Sequence, residues 1–448
     1  MRYALTLVVC IMAAMPLAAQ EGTAPVALTL EEALARGMET SRRLAELEAR
    51  TDAASFAVDG RRAAERPAVA AQAGYTRTNH VDVFAIALPG RPSQVVYPDI
   101  PDTYRGRLDL QWPIYTGGRG DALERAARAE RDATVEDLAA ARADLRLEIT
   151  RAFWALVTAR ETEAVLARSL EAIGAQVTDL RSRLASGLIA PNDVSSAEAQ
   201  QSHQRLLALE ASNQRAIAEA DLRRLTGVTA ARLEPRVPPP DPRAPESVTV
   251  TVPESVTVTV PESVTVTLSR PERRALARRE QAAEARAQAI DATARPQIAI
   301  AGGYDYARPN PRIFPRVAEW RPSWDVSVNL TWSLWDAGRR AAEAGEARAT
   351  ARAVRARAED FDRQVTFEIE QRRLELASSR QAITAADDEV GAAAEAERVV
   401  GERYRVGVAT STDVLEAQVA RLQAELDRTR AIAGVRLAEA RLQRVLGK

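Results

Sequence analysis

The chain of 448 residues contains one cysteine, two histidines and one lysine, and only 4% of it is aromatic. Each scarcity removes a class of function. Cys10 sits in the apolar run from Tyr3 to Leu17. That run follows Arg2, is too short to span a bilayer and ends in Pro16-Leu17-Ala18-Ala19, so residues 1–19 are expected to be a secretory signal peptide. With the signal removed, the exported chain has no thiol, hence no disulfide frame and no thiolate metal site. His80 and His203 are too few for a histidine metal cluster, and no metal or other cofactor is expected. A net charge of −1 with 27% charged residues offers no basic face, so nucleic acid is not an expected partner. There is no nucleophile with its base, no paired acid and base and no phosphate loop, and Gly117-Gly118 and Gly302-Gly303 stand isolated. The chain does not read as an enzyme. No run of about 18 apolar residues follows the signal, so any membrane insertion must be by strands.

What is present is a duplication. Trp112, Gly187, Asp193, Val194, Leu222 and Gly227 recur as Trp332, Gly407, Asp413, Val414, Leu442 and Gly447, each 220 positions later (332 − 112 = 220). Length is conserved while most letters differ, as expected when each copy spans a fixed distance beside the other. The order in each copy is helix, two strands, a very long helix, a turn and a second long helix. The first copy covers residues 20–235 with strands near 67–80 and 104–115; the second covers 269–448 with strands near 296–307 and 322–335.

The first helix opens at Thr29-Leu30-Glu31-Glu32 with capping chemistry and runs to Arg66, where Pro67 stops it; Pro296 does the same after Arg295. The period then changes to two. Leu108, Leu110, Trp112 and Ile114 alternate with Arg107, Asp109 and Gln111, and Val326, Val328, Leu330, Trp332 and Leu334 alternate with Ser327, Asn329, Thr331 and Ser333. One face is apolar and the other polar, which fits strands with lipid outside and water inside. Arg107 and Asp109 would then face the lumen, and Trp112, Trp332 and Trp335 would belong to an aromatic girdle. A soluble half-buried sheet satisfies the same alternation. Four strands cannot close a membrane barrel, which needs about eight or more, so either chains assemble or the sheet is soluble.

After Gly117-Gly118-Arg119 and Ala337-Gly338-Arg339 the helical pattern runs without proline to about residues 185 and 405, roughly 98 Å at about 1.5 Å per residue. Leu166, Leu170, Ile173, Val177, Leu180 and Leu184 form a coiled-coil seam with alternating spacings of four and three. Its second-copy counterpart, Ala386, Val390, Ala393, Glu397, Val400 and Tyr404, is smaller and more polar. Turns at Gly187 and Gly407 reverse the chain. Between the copies, residues 236–268 form a linker in which an octapeptide is read three times from Pro245, and this segment reads as a tolerated expansion.

The Leu28-Thr29-Leu30-Glu31-Glu32-Ala33-Leu34 opening, the Arg66-Pro67 and Arg295-Pro296 switches, and the Gly-Gly-Arg and Ala-Gly-Arg strand exits carry a resemblance, together with Tyr404-Arg405-Val406-Gly407 and Asp413-Val414-Leu415. They resemble the TolC family of outer-membrane efflux proteins over nearly the whole exported chain. The resemblance implies a mainly α fold with a transmembrane β-barrel: a homotrimer in which four strands from each chain make one 12-stranded barrel, continued by an α-barrel through the periplasm. It also implies an export duct in outer-membrane lipid, linked by a periplasmic adaptor (membrane fusion) protein to an inner-membrane pump or ABC transporter. The rival reading is an exported, soluble coiled-coil interaction protein.

The resemblance matches Asp413 and Glu416 to an acidic gate ring at the periplasmic entrance. Three residues apart, they share one helix face, and acids packed in a pore repel one another and attract cations. Asp413 as an N-cap with Glu416 at N3 explains the same pair. A lock between the tips of the helical pairs maps onto Asp193 and Tyr404; where the family places an arginine two residues after the glycine, this chain has Ala409, with Arg405 as the possible substitute. Gly187, Leu188, Gly407 and Val408 map onto adaptor-contact turns, where glycine also serves a left-handed turn.

Overall fold

The computed structural model describes residues 26–87, 89–90, 92–230, 232–237 and 270–447. The expected signal peptide and the octapeptide repeats lie outside them. Strand β1 (Val26–Leu28) and helices α1 (Leu30–Thr40) and α2 (Arg42–Ala63) come first. They are followed by β2 (Ala68–Arg77), the short β3 (Phe84–Ile86) and β4 (Gln94–Tyr97), and β5 (Asp102–Tyr115). The pair α3 (Arg119–Ala185) and α4 (Pro191–Thr226) leads to β6 (Leu233–Pro235). The second copy comprises α5 (Pro271–Asp291), a 3₁₀ turn (Ala292–Ala294), β7 (Gln297–Arg308), β8 (Arg321–Thr331), α6 (Arg339–Arg405) and α7 (Ser411–Val445). Helices α3 and α6 both have 67 residues. Among the described residues, no helix is long and apolar enough to cross a membrane.

The chain divides into two compact units. One comprises Met1–Ser41, Leu145–Val256 and Leu374–Arg441; the other Arg42–Asp144, Thr257–Arg373 and Leu442–Lys448.

In the first unit the predicted seam is the core. Ile173, Val177 and Leu180 of α3 pack with Val194 and Ala197 of α4 and Leu415 of α7, and Leu170 and Leu184 lie against them half-buried. Further along, Val165 and Leu166 meet Ala211, Leu422 and Leu426. In the second-copy seam only Ala386 is buried, and Glu397 carries an ion pair to Arg421 at 2.7 Å, so charge replaces apolar packing there. Helix α1 opens with a reciprocal cap: Thr29 N–H donates to Glu32 Oε2 at 2.9 Å and Glu32 N–H to Thr29 Oγ1 at 3.2 Å. The helix expected to run unbroken to Arg66 stops at Ser41, whose backbone is extended (φ −64°, ψ 114°). Thr40 returns its hydroxyl to the Arg36 carbonyl at 2.9 Å, the local competition that makes such residues poor in helix interiors. Strands β1 and β6 pair in parallel, a contact the sequence pattern did not announce.

The second unit is built on an antiparallel sheet in the order β2-β5-β7-β8. Its register aligns the alternation across all four strands. Val69 lies opposite Leu110, Leu110 opposite Gly302 and Gly302 opposite Val326, all on one face. Gln72, Arg107, Asp305 and Ser323 form a row on the other. Strand β8 ends at Thr331, short of the expected 335. Its last partner is Gln297, and the preceding Pro296 has no N–H with which to extend the ladder. Trp332, Leu334 and Trp335 therefore lie beyond the sheet. A hairpin of β3 and β4 occupies the connection between β2 and β5.

The exits from β5 and β8 to the long helices are the same device in both copies. Thr116 Oγ1 accepts from Gly120 N–H at 3.2 Å, and Asp336 Oδ2 accepts from Arg340 N–H at 3.2 Å. The turn needs a left-handed residue, supplied by Gly117 (φ 68°) in the first copy and by Ala337 (φ 54°) in the second.

Candidate functional site

The turn between α3 and α4 and that between α6 and α7 close identically. Leu188 N–H donates to the Arg183 carbonyl and Gly187 N–H to that of Leu184, both at 2.9 Å; Val408 pairs with Arg403 at 2.8 Å and Gly407 with Tyr404 at 3.0 Å. This Schellman pattern requires a left-handed residue, here Gly187 (φ 75°) and Gly407 (φ 80°). A Cβ at either would meet nothing within 4 Å, so backbone twist and not crowding calls for glycine. The turns leave Leu188, Val406 and Val408 strongly exposed, at 74%, 75% and 65%.

Helix α7 then opens with a capping box. Thr410 N–H donates to Asp413 Oδ2 at 2.7 Å, and Asp413 N–H donates to Thr410 Oγ1 at 3.2 Å. The box sits three residues earlier than one with Asp413 as N-cap and Glu416 at N3, because Ser411 is already the first helical residue. The Thr410 backbone N–H, then its hydroxyl, hold the Asp413 carboxyl below its usual range. Asp413 and Glu416 are both exposed, on the side of α7 away from the buried Val414 and Leu415. The Glu416 carboxylate makes no hydrogen bond or ion pair among the described residues.

The first copy lacks this cap. Ala190 stands where Thr410 would be, and Pro191 supplies the first helical residue instead. Asp193 is left half-buried, and its carboxylate has no partner among the described residues. The structure does not join it to Tyr404. The Tyr404 ring packs on the Ile173–Leu180 cluster with the Arg183 guanidinium 5.1 Å from its centroid, and its buried hydroxyl has no hydrogen-bond partner among the described residues.

On the sheet, Arg107 is the centre of a charge cluster. Its Nε donates to Asp109 Oδ1 at 2.6 Å, its Nη1 to Asp305 Oδ2, and its Nη2 lies 3.6 Å from Asp325. Arg105 Nε donates to Asp305 Oδ1 at 2.6 Å, so two guanidiniums share a carboxylate that is only 2% exposed. Gly303 makes room for this: a Cβ there would collide with the Arg107 guanidinium. Sequence reasoning found Arg107 and Asp109 but missed Arg105, Asp305 and Asp325. Their period-two positions place them on the polar face, but only the register across three strands brings them together.

The opposite face is apolar and uncovered, with Val326 and Val328 at 67% and 69% exposure. Aromatic residues collect at both ends. Tyr75 and Tyr104 lie 5.0 Å apart, and Trp320 stacks on Tyr306 at 5.1 Å. Towards the helices stand Trp112, Trp332 and Trp335, all exposed; Trp332 Nε1 donates to the Ala294 carbonyl at 2.9 Å. Among the described residues no cluster of histidine, cysteine or carboxylate groups is suited to hold a metal.

Comparison with known proteins agrees with this geometry. The family model for outer membrane efflux proteins matches residues 31–228 and 265–448. No curated protein matches significantly. Among solved structures, a membrane protein from Pseudomonas aeruginosa is 22% identical, with a TM-score of 0.76 and 93% of each chain covered. The Campylobacter jejuni CmeC outer membrane channel is 15% identical, with a TM-score of 0.77, over 93% of this chain and 85% of that one. The Vibrio cholerae outer membrane protein VceC is 19% identical, with a TM-score of 0.75, over 93% and 96%. The duplicated long helices and the four-stranded sheet with one bare apolar face are thus accounted for together: the chain belongs to the outer membrane efflux protein family and serves as an outer-membrane export duct reaching into the periplasm.

Proposed function

We propose that three copies of this chain assemble into one duct whose periplasmic end is gated by Asp413 and Glu416. The observation that carries the reading is the sheet. Among the described residues its strands β2 and β8 have unpaired edges, one face is bare and apolar, and the other bears Arg105, Arg107, Asp109 and Asp305. Unpaired edges in an apolar medium are untenable, and four strands are about half of the smallest membrane barrel. Joining β8 of one chain to β2 of the next three times closes twelve strands, puts the apolar face against outer-membrane lipid and turns the charged face to water.

The same threefold arrangement carries two carboxylates from each chain, Asp413 and Glu416, towards a common axis. Their exposure supports this role, since neither is consumed by an ion pair among the described residues, although Asp413 also caps its own helix. Such a ring attracts cations and narrows the entrance. The exposed Leu188, Val406 and Val408, on turns fixed by Gly187 and Gly407, fit the apolar surface of a periplasmic adaptor that links the duct to an inner-membrane pump or ABC transporter. The Asp193–Tyr404 lock has no such support, because Arg183 holds the tyrosine ring.

Single-channel recording from the reconstituted protein tests the gate. Replacing Asp413 and Glu416 by alanine is expected to raise conductance and weaken block by divalent cations. Unchanged conductance and block in a conducting double variant would leave Asp413 with its capping role alone.

A further inference from the structure

The water-facing side of the sheet contains a cleft that the gate and the lipid face do not use. It has a volume of about 450 Å³ and lies over β2, β5 and β7, bounded by the β7–β8 connection. Its chemistry is one-sided. Arg105, Arg107 and Arg316 line it with Thr76, Thr103 and Gln72, and no carboxylate lines it.

The donors in this cleft are only partly spent. Arg105 gives its Nε to Asp305, which lies beneath at 2% exposure, and its two terminal nitrogens have no partner among the described residues. Arg316 donates Nη1 to the Tyr97 hydroxyl at 3.1 Å and lies over the Tyr97 ring at 5.1 Å, a contact that positions the guanidinium but does not neutralise it. The hydroxyls of Thr76 and Thr103 and the Gln72 amide have no hydrogen-bond partner among the described residues. Arg107 is spent on Asp305 and Asp109, with Asp325 3.6 Å away, so the donors left to the cleft are the terminal nitrogens of Arg105 and the guanidinium of Arg316. Guanidiniums held in place by aspartate and by a tyrosine ring are pre-organised for planar oxyanions, which they bind through paired N–H groups.

We propose that this cleft is a binding site for an oxyanion, a carboxylate or phosphate group carried by a solute in transit. The inference rests on the duct reading for which side faces water. The lipid phosphate of the membrane is the other source of this chemistry, but it lies on the opposite, apolar side of the sheet. The site gives an export duct a local affinity for acidic solutes.

The test is calorimetric titration of the full-length protein, assembled in detergent free of lipopolysaccharide, with citrate and separately with pyrophosphate. Saturable binding of one anion per chain is expected, weakened about tenfold or more in Arg105→Gln and in Arg316→Gln, the scale of one lost charge-assisted hydrogen bond. Arg316 belongs to a connection and not to the strand ladder, so its variant keeps the sheet intact. Binding should also weaken in about 0.5 M salt, where charge attraction is screened. Absence of saturable binding, or an affinity in either variant equal to that of the parent protein, overturns the proposal. Binding seen only when lipopolysaccharide is added back assigns the site to lipid and also overturns it. Because the readout is binding and not current, its failure leaves the duct reading to be judged by conductance.

Discussion

Thr410 and Asp413 cap each other: the carboxylate of Asp413 accepts the Thr410 N–H at 2.7 Å, and the Thr410 hydroxyl accepts the Asp413 N–H at 3.2 Å. One residue of the proposed gate is therefore also a structural element of its own helix. Thr410→Ala separates the two roles, since it removes half of the box and leaves both carboxylates in place. It is expected to destabilise the fold by about 1 kcal/mol in denaturant unfolding while divalent block persists. Loss of block in Thr410→Ala, with Glu416 and Asp413 present, would show that helix placement and not charge controls the entrance.

A second prediction concerns the two copies of one turn. Gly117 and Ala337 occupy equivalent positions with φ of 68° and 54°. Ala337 adopts a conformation that costs an alanine about 1–2 kcal/mol, so Ala337→Gly should stabilise the protein by up to about 1 kcal/mol once the added chain entropy is set against it. Gly117→Ala should destabilise it, because a Cβ there would come within 2.8 Å of Arg295 Cβ and 3.0 Å of the Ala292 carbonyl oxygen. Thermal unfolding of the two variants should move in opposite directions.

Acid stability should depend on Glu272. Burial pushes its carboxyl up, but hydrogen bonds from Arg270 and Arg444 outweigh this and set it at about 2. A carboxylate depressed in the folded state stabilises that state above its unfolded value of 4.5, and the contribution is lost as pH falls towards about 2. Glu272→Gln should be less stable than the parent at neutral pH, and the difference should shrink on acidification through that window. A difference independent of pH would mean that shape, not charge, matters at this site.

The exposed tips should separate stability from partnership. Leu188→Ser and Val408→Ser remove no buried contact, so unfolding should shift by less than about 0.5 kcal/mol, whereas Leu180→Ala, fully buried in the seam, should cost about 2–5 kcal/mol. If the turns dock an adaptor, the two serine variants should lose co-purification of the cognate adaptor from membranes while remaining trimeric. Retention of the adaptor by both would move the contact elsewhere.

The duplication, the α3 seam and the apolar–polar alternation of the strands were legible because each is a periodicity, and period survives divergence of individual letters. The end of β8 was not legible from its own residues. Trp332 and Leu334 continue the alternation, and it is Pro296, immediately before the neighbouring strand, that ends the ladder. Nor was the true cap of α7, because Thr410-Ser411-Thr412-Asp413 offers several capping residues in succession, and the choice depends on where the Gly407 turn releases the chain. The meeting of Arg105, Arg107 and Asp305 depends on register between residues some 200 positions apart, which no local pattern encodes.

The central claim is that this chain forms a hollow threefold duct, and electron microscopy of the protein extracted in mild detergent tests it most directly. A trimeric particle with a central lumen, a detergent-bound barrel and a long helical extension is the expected result. A monomer or dimer that is soluble without detergent, with no lumen, would contradict the account and restore the reading of an exported coiled-coil interaction protein.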